Sequence, residues 1–232
     1  LENIYSRTKE LRRYYRYRIA RNSLVTRLDF SENKSLKARE KILAAADRVF
    51  GEMGFDAATV RRIAALSKTN KALIHYHFGS KEGLFESVLD HYFEDLSQTL
   101  HGTLISSRPL PERIRLMFDG YVGFLEKNKN FVHIVQREIN GGRQMTRVLS
   151  HMVPLFQLVL RAMQEAYPKA RSGSLSAEQL LISGYGMIIT YFTCSGIVEK
   201  LIGGSPMSPK NLENRRRHLN RMVEVIIRAL DS

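Results

Sequence analysis

Apolar side chains recur at every third or fourth position along most of this chain, and nowhere convincingly at every second. That spacing places them on one face of a helix, whereas alternation would line one face of a strand. Ile42, Leu43, Ala46, Val49, Phe50 and Met53 keep the helical period over residues 36–53, and Gly54 then offers the left-handed conformation that ends a helix. Thr59, Asn70 and Ser80 each stand where a side-chain oxygen caps the next helix, predicted over about 59–66, 70–76 and 80–96. Further helices are expected over 111–127, opened by Pro111; over 131–138, ended by Gly141-Gly142; and over 145–167, with Pro154 inside. Ser176 with Gln179 has capping-box spacing for a helix to about Ile202, and Ser208-Pro209 opens the last, to Leu230. The class is all-α, with about nine core helices plus a possible N-terminal one.

Composition narrows the rest. With 44% hydrophobic residues over 232 positions, the chain is not disordered in bulk and can bury a full core. A single Cys excludes an internal disulfide framework and fits a reducing, cytoplasmic setting. The net charge of +13 points to a polyanion. The excess is densest in residues 1–35, where Arg7, Lys9, Arg12, Arg13, Arg16, Arg18, Arg21 and Arg27 interleave with Tyr5, Tyr14, Tyr15 and Tyr17. That basic extension lacks the apolar core of a secretory signal and reads either as a solvated arm or as an arm touching phosphates. The uncharged run Gln179 to Val198 has the length of a membrane span. Its Ser183, Gly184, Gly186, Thr190, Thr193, Ser195 and Gly196 fit a helix packed closely on another helix better, so no membrane partner is expected.

The chemistry concentrates between Arg39 and Phe85. There the order runs Arg39-Glu-Lys-Ile-Leu-Ala-Ala-Ala46, Phe50, Met53-Gly54-Phe55-Asp56, Thr59-Val60-Arg61-Arg62-Ile63-Ala64, Ile74-His75-Tyr76-His77-Phe78-Gly79-Ser80-Lys81-Glu82 and Leu84-Phe85. Two short helices joined by a tight turn suit a recognition helix that buries Ile74 and turns Lys71, His75 and Tyr76 outward. Lys71 can donate to guanine or phosphate, and His75 and Tyr76 to phosphate oxygens. His75 and His77 form an H-x-H pair, but side chains two apart on a helix diverge, so no metal site is expected.

These residues closely resemble the DNA-binding domain of the TetR family of bacterial transcription regulators, over about residues 36–96. The resemblance implies a three-helix helix-turn-helix domain at 36–96, followed by a larger helical domain at 97–232 that binds a small effector and dimerises. It implies that Thr59 caps the first motif helix, that Arg61 touches DNA, and that Tyr76, His77 and Lys81 grip the backbone. With Asn70, Lys71, Ala72, Leu73 and His75 these make up the candidate DNA-binding set. Three places depart from the family. Ser67-Lys68-Thr69 replaces Ala-Gly-Val in the turn, so either Lys68 takes a positive φ at some cost or the turn differs. Ala72-Leu73 replaces Gly-Thr, so Leu73 can meet a thymine methyl but not hydrogen-bond. His75 replaces a common Tyr. These changes bear on operator sequence.

Beyond residue 97, Phe118, Tyr121, Phe124, Phe131, Met145, Met152, Phe156, Met163, Met187, Tyr191 and Phe192 recur at helical intervals. They read as bundle core or as the wall of a pocket for a small apolar or amphipathic effector, with Phe118, Tyr121, Phe131, Met152, Phe156, Met187 and Tyr191 the pocket candidates. Gly141-Gly142-Arg143 could shape an entrance. Arg215-Arg216-Arg217 reads as an outer solvated face. The helices at about 176–202 and 209–230 offer a face for a homodimer, which one short recognition helix needs in order to read enough bases. The leading expectation is a homodimeric repressor on a palindromic double-stranded operator, released by an effector, with no cofactor. The alternative is an effector-independent architectural or division-linked DNA-binding protein. No G-x-S-x-G, Walker A, H-E-x-x-H or paired-Cys motif points to an enzyme.

Overall fold

The computed structural model of the chain describes residues 30–104 and 106–231, so most of the basic extension expected at 1–35 lies outside the described residues. Described residues up to Lys41 belong to one compact unit and those from Ile42 onward to a second, which holds everything considered below. The described residues form ten α-helices and no strand. In chain order they are α1 (Phe30–Ala57), α2 (Val60–Ser67), α3 (Lys71–Phe78), α4 (Lys81–Leu104), α5 (Leu110–Lys127), α6 (Lys129–Ile139), α7 (Met145–Ala166), α8 (Ala177–Thr193), α9 (Ser195–Ile202) and α10 (Pro209–Asp231). A short 3-10 turn, Pro168–Arg171, follows α7.

Local chemistry sets most of these boundaries. The first turn of a helix leaves backbone N–H groups without carbonyl partners, and a preceding hydroxyl or amide oxygen can accept one. Thr59 Oγ1 accepts from Arg62 N at 3.2 Å, Asn70 Oδ1 from Leu73 N at 2.7 Å and Ser80 Oγ from Gly83 N at 3.1 Å. Ser208 Oγ does the same for Asn211 N at 3.3 Å, with Pro209 as the first helical residue. Between α2 and α3, Lys68 adopts φ 54 and ψ 40, the left-handed conformation that glycine takes at less cost.

Two helix ends differ from expectation. At Gly54 the helix kinks instead of ending: φ is 78 and ψ 171, and one more turn runs on to Ala57. A side chain at Gly54 would also collide with Arg137, whose Cδ lies 2.5 Å from an added Cβ. The helix expected to run to Ile202 breaks at Cys194, and α8 and α9 meet at 82°. Thr193 Oγ1 donates back to the Ile189 carbonyl at 3.1 Å, which competes with the helical ladder, and Gly196 weakens the next turn. That break supplies the tenth helix. It also means that no single helix among the described residues is long and apolar enough to cross a membrane. The bent pair α8 and α9 passes that test only when joined.

Three rings close the core beneath α2 and α3. Phe85 meets Phe50 and Phe55 edge-on, with centroids at 5.0 and 5.1 Å. Ile63, Ile74 and Phe78 are buried in the same core. A polar knot ties this end to the rest: Asp47 on α1 accepts from the Tyr92 hydroxyl on α4 and from Asn130 Nδ2 on α6 at 2.8 Å. Further along, α10 is pinned to α5 by Arg216, which donates to the Asp119 carbonyl at 2.8 Å and pairs with Glu126 at 3.0 Å.

Candidate nucleic-acid interface and ligand cavity

On α2, Ile63 and Ala64 point into the core, so Arg61 and Arg62 face solvent. On α3, Ile74 and Phe78 are buried while Lys71, Ala72, His75 and Tyr76 are exposed. Tyr76 stands 80% exposed. His75 Nδ1 donates to the Gly79 carbonyl at 2.9 Å, and this fixes the ring so that Nε2 is the nitrogen left for a partner. His77 is half-buried, with its ring edge-on to Tyr76 at 5.1 Å. Leu73 is half-buried and packs against the core. Thr59 and Asn70 spend their side chains on caps. Together these residues give a rigid, cation-bearing face whose backbone is fixed by its own caps.

Lys81 is placed differently from the others. Its Nζ donates to the Phe55 carbonyl at 2.9 Å and to the Ala58 carbonyl at 3.2 Å, and lies 4.2 Å above the Phe55 ring. Its ammonium therefore satisfies carbonyls that the end of α1 leaves open, and clamps α1 to the start of α4.

A cavity of about 110 Å³ lies among α4, α5, α6, α7, α8 and α10. Of the pocket candidates, Phe118, Tyr121, Phe131, Met152 and Phe156 line it, joined by Phe93, Met117, Tyr185 and Val223 among others. Gly184 makes room for the Phe118 ring, whose Cζ would lie 2.9 Å from a Cβ there. Met187 and Tyr191 are not part of the wall. Tyr191 turns away to donate to the Pro206 carbonyl at 2.9 Å, and the Met187 carbonyl accepts from Arg215. Periodicity marked both as inward but could not say inward toward what.

The sequence profile of the tetR family of bacterial regulatory proteins matches residues 42–88, which span α2, α3 and their supports. The chain is 34% identical over 106 residues to the HTH-type transcriptional repressor NicS of Pseudomonas putida, covering 44% of this chain and 48% of NicS. It is 40% identical over 94 residues to an HTH-type transcriptional repressor of Mycobacterium tuberculosis, covering 37% of this chain and 50% of that one. Over residues 42–88 the chain carries the sequence pattern of the tetR family. The match spans about half the length of these curated relatives. Solved structures extend the likeness of fold. The fatty acid degradation regulator FadR of Bacillus halodurans superposes with a TM-score of 0.64 at 14% identity, over 80% of this chain and 94% of that one. A TetR-like regulator of Rhodococcus sp. RHA1 gives 0.62 at 17%, over 80% and 93%.

Several polar groups found by the fold were invisible to sequence spacing. Arg215 and Arg216 are not on an outer solvated face: Arg215 bonds the Met187 carbonyl and lies over the Tyr191 ring, and Arg216 clips α10 to α5. Only Arg217 of the three is exposed, bonded to Asn214 at 2.7 Å. The Gly141-Gly142 turn closes on a buried carboxylate, since Glu138 accepts from Gln144 N at 2.9 Å and fills the space a Gly142 side chain would need. Among the described residues one group has the composition of a metal site: Glu86 and Asp90 on α4 with His151 on α7. His151 Nε2 lies 3.5 Å from Glu86 and 3.7 Å from Asp90, while Arg147 pairs with Glu86 at 2.8 Å and donates to the Glu82 carbonyl. Arg147 already supplies a cation there, so the group serves as a polar tie between α4 and α7.

Proposed function

We propose that the chain represses transcription as a homodimer that binds a palindromic double-stranded operator through α2 and α3. The observation that carries this is the exposed set Arg61, Lys71, His75 and Tyr76 on two capped helices, whose opposite faces are locked into the core. Phosphate contacts would come from Arg61, Lys71 and Tyr76, and His75 Nε2 is positioned for a base edge or a phosphate. Lys81 would act by holding α1 against α4. NicS and the Mycobacterium tuberculosis relative are named as repressors, which supports that sign of regulation.

The head is taken as residues 36–96 and the effector and dimer domain as 97–232, working in the cytoplasm. Release would come from a small apolar or amphipathic effector in the cavity. Its walls include Phe93 on α4 and Phe131 on α6, next to Tyr92 and Asn130, which hold Asp47 on α1. A ligand that pushes these walls tilts the helices that carry the head, and half-sites on B-DNA tolerate little change in spacing. Dimerisation is supported by exposed Ile182 on α8, Ile197, Leu201 and Ile202 on α9 and Val225 on α10.

Mobility shift on DNA from upstream of its own gene tests the reading. A salt-sensitive, sequence-selective complex with two-fold footprint symmetry is expected, weakened by Lys71→Ala. A complex indifferent to sequence would support the architectural alternative, and none at all would end the proposal.

A further inference from the structure

Two features of the cavity restrict what can enter it. The first is the absence of charge. Apart from Tyr121 and Tyr185, every lining residue is Leu, Ile, Val, Met, Phe or Gly. An ionised ligand group placed there would lose its hydration without gaining a counter-ion, which excludes carboxylates and amines from the bound end. The second is a pair of hydroxyls. The Tyr185 hydroxyl accepts from Gln136 Nε2 at 3.1 Å, and so keeps its own proton to give. Tyr121 supplies the second hydroxyl of the wall, with its ring packed beside Phe124.

We infer that the cavity takes an uncharged, ring-sized apolar molecule bearing one hydrogen-bond acceptor, a ketone, aldehyde or ester oxygen, which meets the Tyr121 hydroxyl. This rests on reading the cavity as the effector site. Burial raises both tyrosines above their ordinary range, Tyr121 well above it with Tyr185 adding to the rise, so both remain neutral donors at any physiological pH. At about 110 Å³ the cavity is smaller than the roughly 150 Å³ apolar cavities that accept benzene, so a single ring is the upper limit and the walls must yield to admit it. An oxygen bound at Tyr121 also sits on α5, within the bundle that α4 and α10 pack against, so its pull acts on the same helices that hold the head.

Three molecules of nearly equal shape separate the possibilities: acetophenone, isopropylbenzene and benzoate. Calorimetric titration of the full chain should show acetophenone binding about five-fold more tightly than isopropylbenzene, the effect of one neutral hydrogen bond, and benzoate not binding. Tyr121→Phe should erase the ketone's advantage and leave isopropylbenzene unchanged. Independently of any variant, the carbonyl stretch of bound acetophenone should fall in frequency relative to its value in an alkane. Benzoate binding as well as the ketone, an advantage that survives Tyr121→Phe, an unshifted carbonyl, or no binding by any of the three would overturn the inference. If acetophenone binds in a Tyr121-dependent way but leaves operator affinity unaltered, the ligand chemistry stands and the effector reading falls.

Discussion

The head and the cavity bundle are built by opposite strategies. In the head, three rings fill the space under α2 and α3, and the short helices are fixed by hydroxyl and amide caps within three residues of their targets. In the bundle, long helices leave a space in the middle, and the polar ties that hold them span distant parts of the chain, such as Arg216 to Asp119 and Gln136 to Tyr185. A tightly packed head keeps the spacing of its exposed cations fixed. A bundle with a vacancy can change shape when that vacancy is filled. Rigidity and compliance are therefore divided between the two regions.

The largest effect should come from opening a hole where none exists. Phe85→Ala removes a ring that is fully buried against Phe50 and Phe55, and should cost about 3–5 kcal/mol in denaturant unfolding. Phe156→Ala, which faces the cavity and is half-buried, should cost clearly less. Equal costs would erase the distinction between the regions. Alkaline unfolding comes next. Tyr92, Tyr121 and Tyr185 are all raised by burial, Tyr92 also by its bond to Asp47. Their contribution is complete below the unfolded-state value of about 10 and is lost as pH rises toward the folded-state values, by up to about 1.4 kcal/mol per pH unit for each. Melting temperature should hold to about pH 10 and then fall, less steeply in Tyr92→Phe.

Lys81→Met and Lys71→Met form a sharper pair. The first strips two carbonyls of their donor and should cost about 1–3 kcal/mol of stability. The second should leave stability within about 0.5 kcal/mol and weaken DNA binding at all sequences, lowering the salt slope by about one. If the two exchange effects, Lys81 is a phosphate ligand after all. The smallest change is Lys68→Gly. It relieves a left-handed residue and should alter stability by no more than about 1 kcal/mol, because glycine's extra freedom when unfolded offsets the relief.

These differences also explain what could be read from the sequence. Thr59, Asn70, Ser80 and Ser208 were legible because a cap and its target are three residues apart. Lys68 was legible only in part, because the family's glycine at that place suggested a positive φ while the substituted triplet left a different turn open. Lys81 was not, since its carbonyl partners lie 26 and 23 residues earlier and only the folded core brings them under its ammonium. For the same reason Met187 and Tyr191 could be marked as inward but not assigned to a wall. The break at Cys194 was missed because it depends on a hydroxyl folding back on its own helix, with no proline at the site.

That break has a consequence for exchange of backbone hydrogens. The eight residues of α9 bury no side chain, Leu201 is 80% exposed, and a helix so short cannot sustain itself in water. In a lone chain its amides should trade protons with solvent far sooner than those of α8. Protection that grows there as protein concentration rises would mark where a second copy settles.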